Sequence, residues 1–259
     1  MIPEIKTVLL STAYLAPVEY YLQMNTHQQV IIEQHCNYIK QTYRNRCVIA
    51  SANGLQTLSI PIVKPDSPKC LTKDIRIAEH GNWRHLHWNA IVSAYNSTPF
   101  FEYFADDFRP FYEKPPHFLF DFNEALRELV CSLLDISPNI SYSDQYITEE
   151  ALINFTRHCE GEFTRHCEGE ARSNLSPNPL KEEHPYPFRG SVGDGVLDCF
   201  APLAMTTADL REAIHPKKEI NDSNLKPYYQ VFENKYGFQP NLSIIDLLFN
   251  MGNEAVNFL

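Results

Sequence analysis

Short β-rich runs dominate the first eighty residues, and a four-residue helical period takes over from Trp83. TVLLST (7–12) is apolar and short, APVEYYLQM carries Pro17 where a first helical turn tolerates proline, and QQVIIEQ (28–34) is again β-branched. Strand, short helix and strand predict a βαβ opening. YRNRCVIASANGLQTLSIPIV then sets two β-rich runs around Asn53-Gly54, a dipeptide suited to positive φ at both turn positions, which predicts a hairpin. The alternation in DIRIAEH (74–80) predicts a further strand. Trp83, His87, Ile91 and Tyr95 form one stripe of a helix. Ser97 or Thr98 with Pro99 restarts a helix at PFFEYFADDFRPFY, and NEALRELVCSLLDI places Leu126, Val130 and Leu133 or Leu134 on one side of a third. NISYSDQYI is a candidate strand.

These elements predict an α/β fold, with the N-terminal βαβ and the hairpin forming a mixed sheet and a helical region after it, over residues 1–147. The texture then breaks. Residues 155–170 read FTRHCEGEFTRHCEGE, one eight-residue string written twice, and four prolines fall within 177–187. Such composition buries too little apolar area to offset chain ordering, so 148–205 is expected to be a disordered, mobile insertion. Residues 206–259 end in SIIDLLFNMGNEAVNFL and are expected to be a helical segment docked on the core.

Composition narrows the function classes. With 22 basic and 32 acidic side chains the formal net charge is −10, which disfavours nucleic acid and anionic membrane surfaces as partners, so any basic site must be local. Seven scattered cysteines with no C-x-x-C pair read as reduced thiols. The opening apolar run is too short for a signal peptide and no run reaches the length of a membrane span, so a cytoplasmic protein is expected.

The doubled string holds His158, Cys159, His166 and Cys167, enough ligands for zinc in number. Adjacent His-Cys pairs project to different sides, however, and eight residues span about 12 Å as a helix. A copy that keeps its spacers as faithfully as its ligands looks like duplicated coding sequence, so neither a metal nor a cofactor is expected. His85 and His87 diverge by about 200° on a helix, so His87, beside Trp83, reads either as a buried structural histidine or as a proton donor or ligand contact.

Two basic clusters stand out. Lys40, Arg44 and Arg46 lie in NYIKQTYRNRC, and a strand over 42–50 would put Arg44 and Arg46 on one face with Asn45 on the other. DLREAIHPKK (209–218) offers Asp209, Arg211, His215, Lys217 and Lys218, with Pro216 ending the helix that precedes it. Facing one cleft, the two clusters would make a pocket for a small anion. There is no phosphate-binding loop, nucleophile elbow, zinc-protease or kinase motif.

AYLAPVEYY, NYIKQTYRNR, WRHLHWNAIVSAYNSTPFF and GFQPNLSIIDLLFNMG, in that order and spacing, resemble the WbqC-like family of bacterial proteins. The resemblance implies a supporting role in making surface polysaccharide such as O-antigen, as an acyl or aminoacyl transferase acting on a nucleotide-linked or amino sugar. The matching positions are Pro17 and Tyr20, then Tyr38, Lys40, Asn45 and Arg46, then Trp83, His87 and Tyr95. Where the family leads one to expect acidic residues after the second strand this chain reads Glu33-Gln34-His35, leaving Glu33 as the carboxylate available there. The expected site therefore has His87 or Glu33 for proton transfer and Tyr38, Lys40, Asn45, Arg46, Trp83 and Arg211 around an anionic ligand such as a nucleotide sugar or activated acyl donor. The rival expectation is a non-catalytic scaffold of a polysaccharide-assembly complex.

Overall fold

Val8, Leu9 and Leu10 are each at most 1% exposed, so strand β1 (Ile5–Ser11) is covered on both faces, as a central strand of a parallel sheet must be. It pairs in parallel with β2 (Gln29–Glu33) on one side and with β6 (Met205–Asp209) on the other. Strand β5 (Ile140–Tyr142) adds in parallel to β2, giving the order β5-β2-β1-β6. The computed structural model describes residues 5–65, 67, 69–114, 116–148, 151, 205–218 and 225–259. The doubled string with His158, Cys159, His166 and Cys167, and nearly all of the insertion expected at 148–205, lie outside the described residues.

Helix α1 (Val18–Thr26) follows Pro17 and buries Val18, Tyr20, Tyr21 and Met24 as it carries the chain from β1 to β2. The chain is α/β, with that parallel sheet and an antiparallel hairpin, β3 (Arg46–Ser51) and β4 (Gly54–Ser59). The hairpin stands beside the sheet as its own two-stranded unit. Both edges of β1 are already taken, and the hairpin instead turns Cys47, Ile49 and Leu58 inward, all buried, with β3 packed on the helix that begins at Trp83. Gly54 has the expected positive φ, +104°, but Asn53 does not: Ser51 pairs with Gly54, so Ala52 and Asn53 make the two-residue loop in place of Asn53-Gly54.

Residues 74–80 make single antiparallel bridges, Ile62 to Ile77 and Arg76 to Phe118, in place of the expected strand. Tight 3-10 turns at Thr72–Asp74 and His80–Asn82 pin both ends and leave too little extended chain for a ladder. Helix α2 (Trp83–Tyr95) buries the expected stripe of Trp83, His87, Ile91 and Tyr95. Helix α3 (Phe101–Glu113) buries Phe101, Phe104, Phe108 and Tyr112, and α4 (Leu119–Leu133) buries Leu119, Phe122, Leu126 and Val130.

The helix expected just before Pro216 is absent. Met205–Asp209 is strand β6, and turns follow it up to Lys218. A parallel partner, β1, fixes this short run as extended, and Asp209 accepts a bond from the Arg211 backbone N–H that turns the chain. A single helical turn, α5 (Glu233–Tyr236), precedes α6 (Ile244–Met251), whose residues 244–249 are all at most 1% exposed. Phe249 sits among Tyr95, Phe101 and Phe108 with ring centroids 5.2–5.6 Å away. Backbone bonds from Val18 to Leu242 and from Ile244 to Ala16 tie α6 to the start of α1. Gly252, at φ +58°, ends it, and a Cβ there would lie 2.5 Å from the Phe100 ring.

Candidate functional site

The parallel register brings the carboxyl ends of the strands to one edge: Ser11 pairs with Glu33, Ile32 with Tyr142 and Leu9 with Asp209. The chain leaves β1 for β2 on one side and returns as β6 on the other, so the edge beside β1 is the point where the strand order reverses. Open α/β sheets bind ligands in the crevice at that point. Here the crevice holds a cavity of about 20 Å³, lined among others by Ser11, Thr12, Tyr20, Thr42, Arg44 and Arg211. That is room for about one water.

Two arginines, Arg44 and Arg211, line it, and a third, Arg127, is linked to it through Glu124 and Thr12. Arg211 grips Asp209 with two bonds, Nη2 to Oδ2 at 2.6 Å and Nε to Oδ1 at 3.0 Å. Its Nη1 donates to the Ile147 carbonyl at 2.8 Å and reaches Glu33 at 3.4 Å, and its guanidinium lies over the Tyr146 ring. Burial pulls the Arg211 pKa down, but the bonds and charge of Asp209 outweigh it, and the net direction is up.

Glu33 is 0% exposed. Besides Arg211 it accepts from Ser143 Oγ at 2.7 Å, the His35 N–H at 2.7 Å and the Ile147 N–H at 2.9 Å. Four donors fill its lone pairs, so in this arrangement it clasps the ends of β2, β5 and β6.

Arg127 donates from Nε to Glu124 at 2.7 Å, with both side chains under 10% exposed, and from Nη2 to Tyr142 at 3.2 Å. The other Glu124 oxygen accepts from Thr12 at 2.9 Å, which fixes α4 to the end of β1. Arg44 differs from both. Its side chain is 3% exposed, yet its one carboxylate partner among the described residues is Glu212, at 3.1 Å and 55% exposed. Nη2 also donates to Ser11 Oγ at 2.9 Å, Asn123 holds the Arg44 carbonyl at 2.8 Å, and Nε is buried without a partner among the described residues.

The residues expected from sequence divide among these places. Glu33 and Arg211 meet directly. Tyr38 is half-buried, its pKa pushed up to about 12 by burial against the opposing charges of Arg44 and Arg46. Arg46 is half-buried at the start of β3, and Lys40 is exposed. Asn45 has a structural task, donating to the Ile60 carbonyl at 2.9 Å. The strand expected over 42–50 begins at Arg46, so Arg44 precedes it and turns inward instead of sharing a face with Arg46.

His87 and Trp83 lie elsewhere, in the aromatic layer beneath the β1–α1 loop. Trp83 donates to the Ala78 carbonyl at 3.1 Å and meets His87 edge to face. His87 Nδ1 is 3.0 Å from the Tyr14 hydroxyl, which is 2.8 Å from that of Tyr112. Burial pulls the His87 pKa down to about 4, only partly offset by a bond to the Ser59 backbone. The ring is therefore neutral near pH 7, and its contacts tie the β1–α1 loop to α2, α3 and β4.

Ser11, Thr12, Glu124, Arg127, Tyr142, Ser143 and Glu212 were not legible as site residues. One signal existed for α4: Phe120, Glu124, Arg127 and Cys131 follow a helical stripe whose ends are apolar and whose middle is charged, the mark of a buried pair. A roomier groove of about 420 Å³ between α2 and α3 is lined by Trp88, Tyr112, His85 and Arg84 among others. Its Arg84 and Arg109 are matched by Glu79 and Glu113 at the same surface, so it lacks the buried, under-matched charge of the strand-end crevice.

Among the described residues no helix is long and apolar enough to cross a membrane. A family model described as the WbqC-like protein family matches residues 12–175. The chain is also similar to an uncharacterized protein of Mycobacterium tuberculosis (strain ATCC 25618 / H37Rv), Rv1507c, with 25% identity over 257 residues, 98% of this chain and 97% of the other. No solved structure matches it.

Proposed function

Because this chain belongs to the WbqC-like protein family, and a buried, under-matched arginine from the segment before β3 lines its strand-end crevice, we propose that it is a cytoplasmic small-molecule transferase supporting surface polysaccharide synthesis. The substrate is an activated or amino sugar, and the group transferred is an acyl or aminoacyl unit. Arg44 holds the anionic group of the ligand, with Arg211 behind it and Tyr38, Lys40 and Arg46 along the approach. The sugar hydroxyl or amine bonds to the acyl carbon, the carrier group of the donor leaves, and Glu33 takes the proton that the attacking group loses, once a donor such as Arg211 moves off it. His87 and Trp83 act as positioning residues, holding Tyr14 and so the loop that carries Thr12 and Ala13 past the crevice.

The observation that carries this reading is Arg44 itself. A guanidinium taken out of water needs a negative partner, and a site that keeps one such charge for an exposed partner is built to exchange it.

Nucleotide sugars and activated acyl donors, titrated while thermal stability is followed, test it. A ligand at 100 times its dissociation constant is expected to add about 2.7 kcal/mol. Arg44→Gln is expected to abolish that gain. If no donor shifts the melting temperature but a partner protein shifts the sedimentation of the wild type, the chain is a scaffold and the transferase reading fails.

A further inference from the structure

Arg211 faces two carboxylates, Glu33 and Asp209, and Arg127 has the buried Glu124 as well as the exposed Glu128. Arg44 has Glu212 alone among the described residues. Leaving aside Glu128 and Glu212, the cluster is three guanidiniums against three carboxylates, of which Glu33 and Glu124 are buried and Asp209 is 30% exposed at its side chain, and both of the buried ones are already taken by Arg211 and Arg127. Glu212 adds one negative charge to a cation that cannot stand bare in a buried setting.

From this geometry we infer that the crevice is a carboxylate receptor, in which the Glu212 side chain occupies the position on Arg44 that the carboxylate of the ligand takes over. The inference rests on the strand-end crevice being the ligand site, and it narrows the anion to one chemical class.

Three features support the exchange. The first is energetic: burying Arg44 demands some carboxylate at all times, while an ion pair with a half-exposed partner is weak and easily screened, so replacing one carboxylate by another costs little. The second is steric. The cavity that Arg44 lines, of about 20 Å³, has no space for an additional group, so the ligand reaches Arg44 in place of the Glu212 carboxylate.

The third is mechanical. The Glu212 backbone is anchored on both sides, by the Arg211 N–H on Asp209 at 3.1 Å and by Lys218 Nζ on the Glu212 carbonyl at 2.7 Å. Only the side chain has to swing. The Nε of Arg44, buried and without a partner among the described residues, offers a second donor, so an incoming carboxylate can bind in the forked manner that the single Glu212 contact does not use. Charge selects within the anions: a monoanion carries the same charge as the Glu212 carboxylate it displaces, whereas a phosphate dianion adds a second negative charge beside Glu33, Asp209 and Glu124.

The experiment is replacement of the removed group. Glu212→Ala in the full chain deletes a half-exposed side chain, and acetate is the fragment it deletes. Acetate and inorganic phosphate are titrated calorimetrically into wild type and Glu212→Ala at constant ionic strength. Acetate is expected to bind the variant about ten-fold more tightly than the wild type, phosphate to gain less, and Glu212→Ala/Arg44→Gln to lose the gain.

Equal acetate affinities in wild type and Glu212→Ala, or a larger gain for phosphate, overturn the inference. Nucleotide-sugar titration of the same samples separates the two levels. Sugar binding without an acetate gain leaves the transferase reading standing and removes the receptor. An acetate gain with no donor bound does the reverse.

Discussion

Two buried side chains titrate in opposite senses, and their effects on stability nearly cancel. Burial raises Asp246 to about 6, against hydrogen bonds from Tyr228, Tyr95 and Asn250 that pull it down. Between its unfolded value near 3.8 and about 6 the folded chain holds the extra proton, so its contribution to stability is present in acid and is lost as pH rises. His87, lowered to about 4 by burial, behaves the other way: the unfolded chain binds the proton up to about 6.5, and stability is gained as pH rises from 4. Each slope is on the order of 1 kcal/mol per pH unit. Urea unfolding of wild type and Asp246→Asn from pH 4 to 7 is expected to show the wild type losing about 3 kcal/mol relative to the variant between pH 4 and 6, and nothing further above pH 6. A constant difference would place the Asp246 carboxyl at its ordinary value. The burial of His87 is one of the two readings its helical stripe allows, whereas that of Asp246 is not legible, because it sits in SIIDLL with only its neighbours to mark it as buried, and its partner Tyr228 lies 18 positions away.

Among the elements, what local periodicity dictates was readable, and what distant pairing dictates was not. The stripe from Trp83 to Tyr95 needs only the helix's own period, and the hairpin only its own turn, whose loop is Ala52-Asn53, one position before the expected pair. Strand β6 has no such signal, since its partner β1 lies about 200 residues earlier and its few residues also fit the start of a helix. Helix α4 lies between these cases. Its apolar stripe is legible, but the burial of Glu124 and Arg127 beside it is not, because charges on a helix usually mark the solvated face. Their burial makes them strongly coupled. Arg127→Met is expected to cost about 3–5 kcal/mol, because Glu124 is then buried without its cation. Adding Glu124→Gln is expected to return a large part of that loss. Additive losses in the double-mutant cycle, measured by denaturant unfolding, would mean that the pair is solvated and that α4 is held only by its apolar stripe.

At the scale of the whole molecule, the site is made where the opening βαβ unit meets the segment around β6, about 200 residues later. Ser11 and Glu33 come from the opening βαβ unit, and Asp209, Arg211 and Glu212 come from a segment beginning at residue 205. Local sequence signals marked each half, but only the parallel pairing of β1 with β6 brings a basic cluster near residue 44 against one near residue 211. A net charge of −10 does not prevent this, since the three arginines are buried together with carboxylates and not displayed on the surface. The joint also holds the fold together, because Arg211 spans Glu33 on β2, Ile147 after β5 and Asp209 on β6. Arg211→Met removes the cation from a carboxylate that is 0% exposed and frees the end of β6. Amide exchange of the full chain is expected to speed up about ten-fold or more at Thr207 to Leu210, while amides of Val48 to Ala50 in the separate hairpin keep their rates, since local opening of a weakened edge exposes that edge alone. If both segments speed up equally, Arg211 supports global stability only, and β6 is bound to β1 by its ladder without help from the crevice.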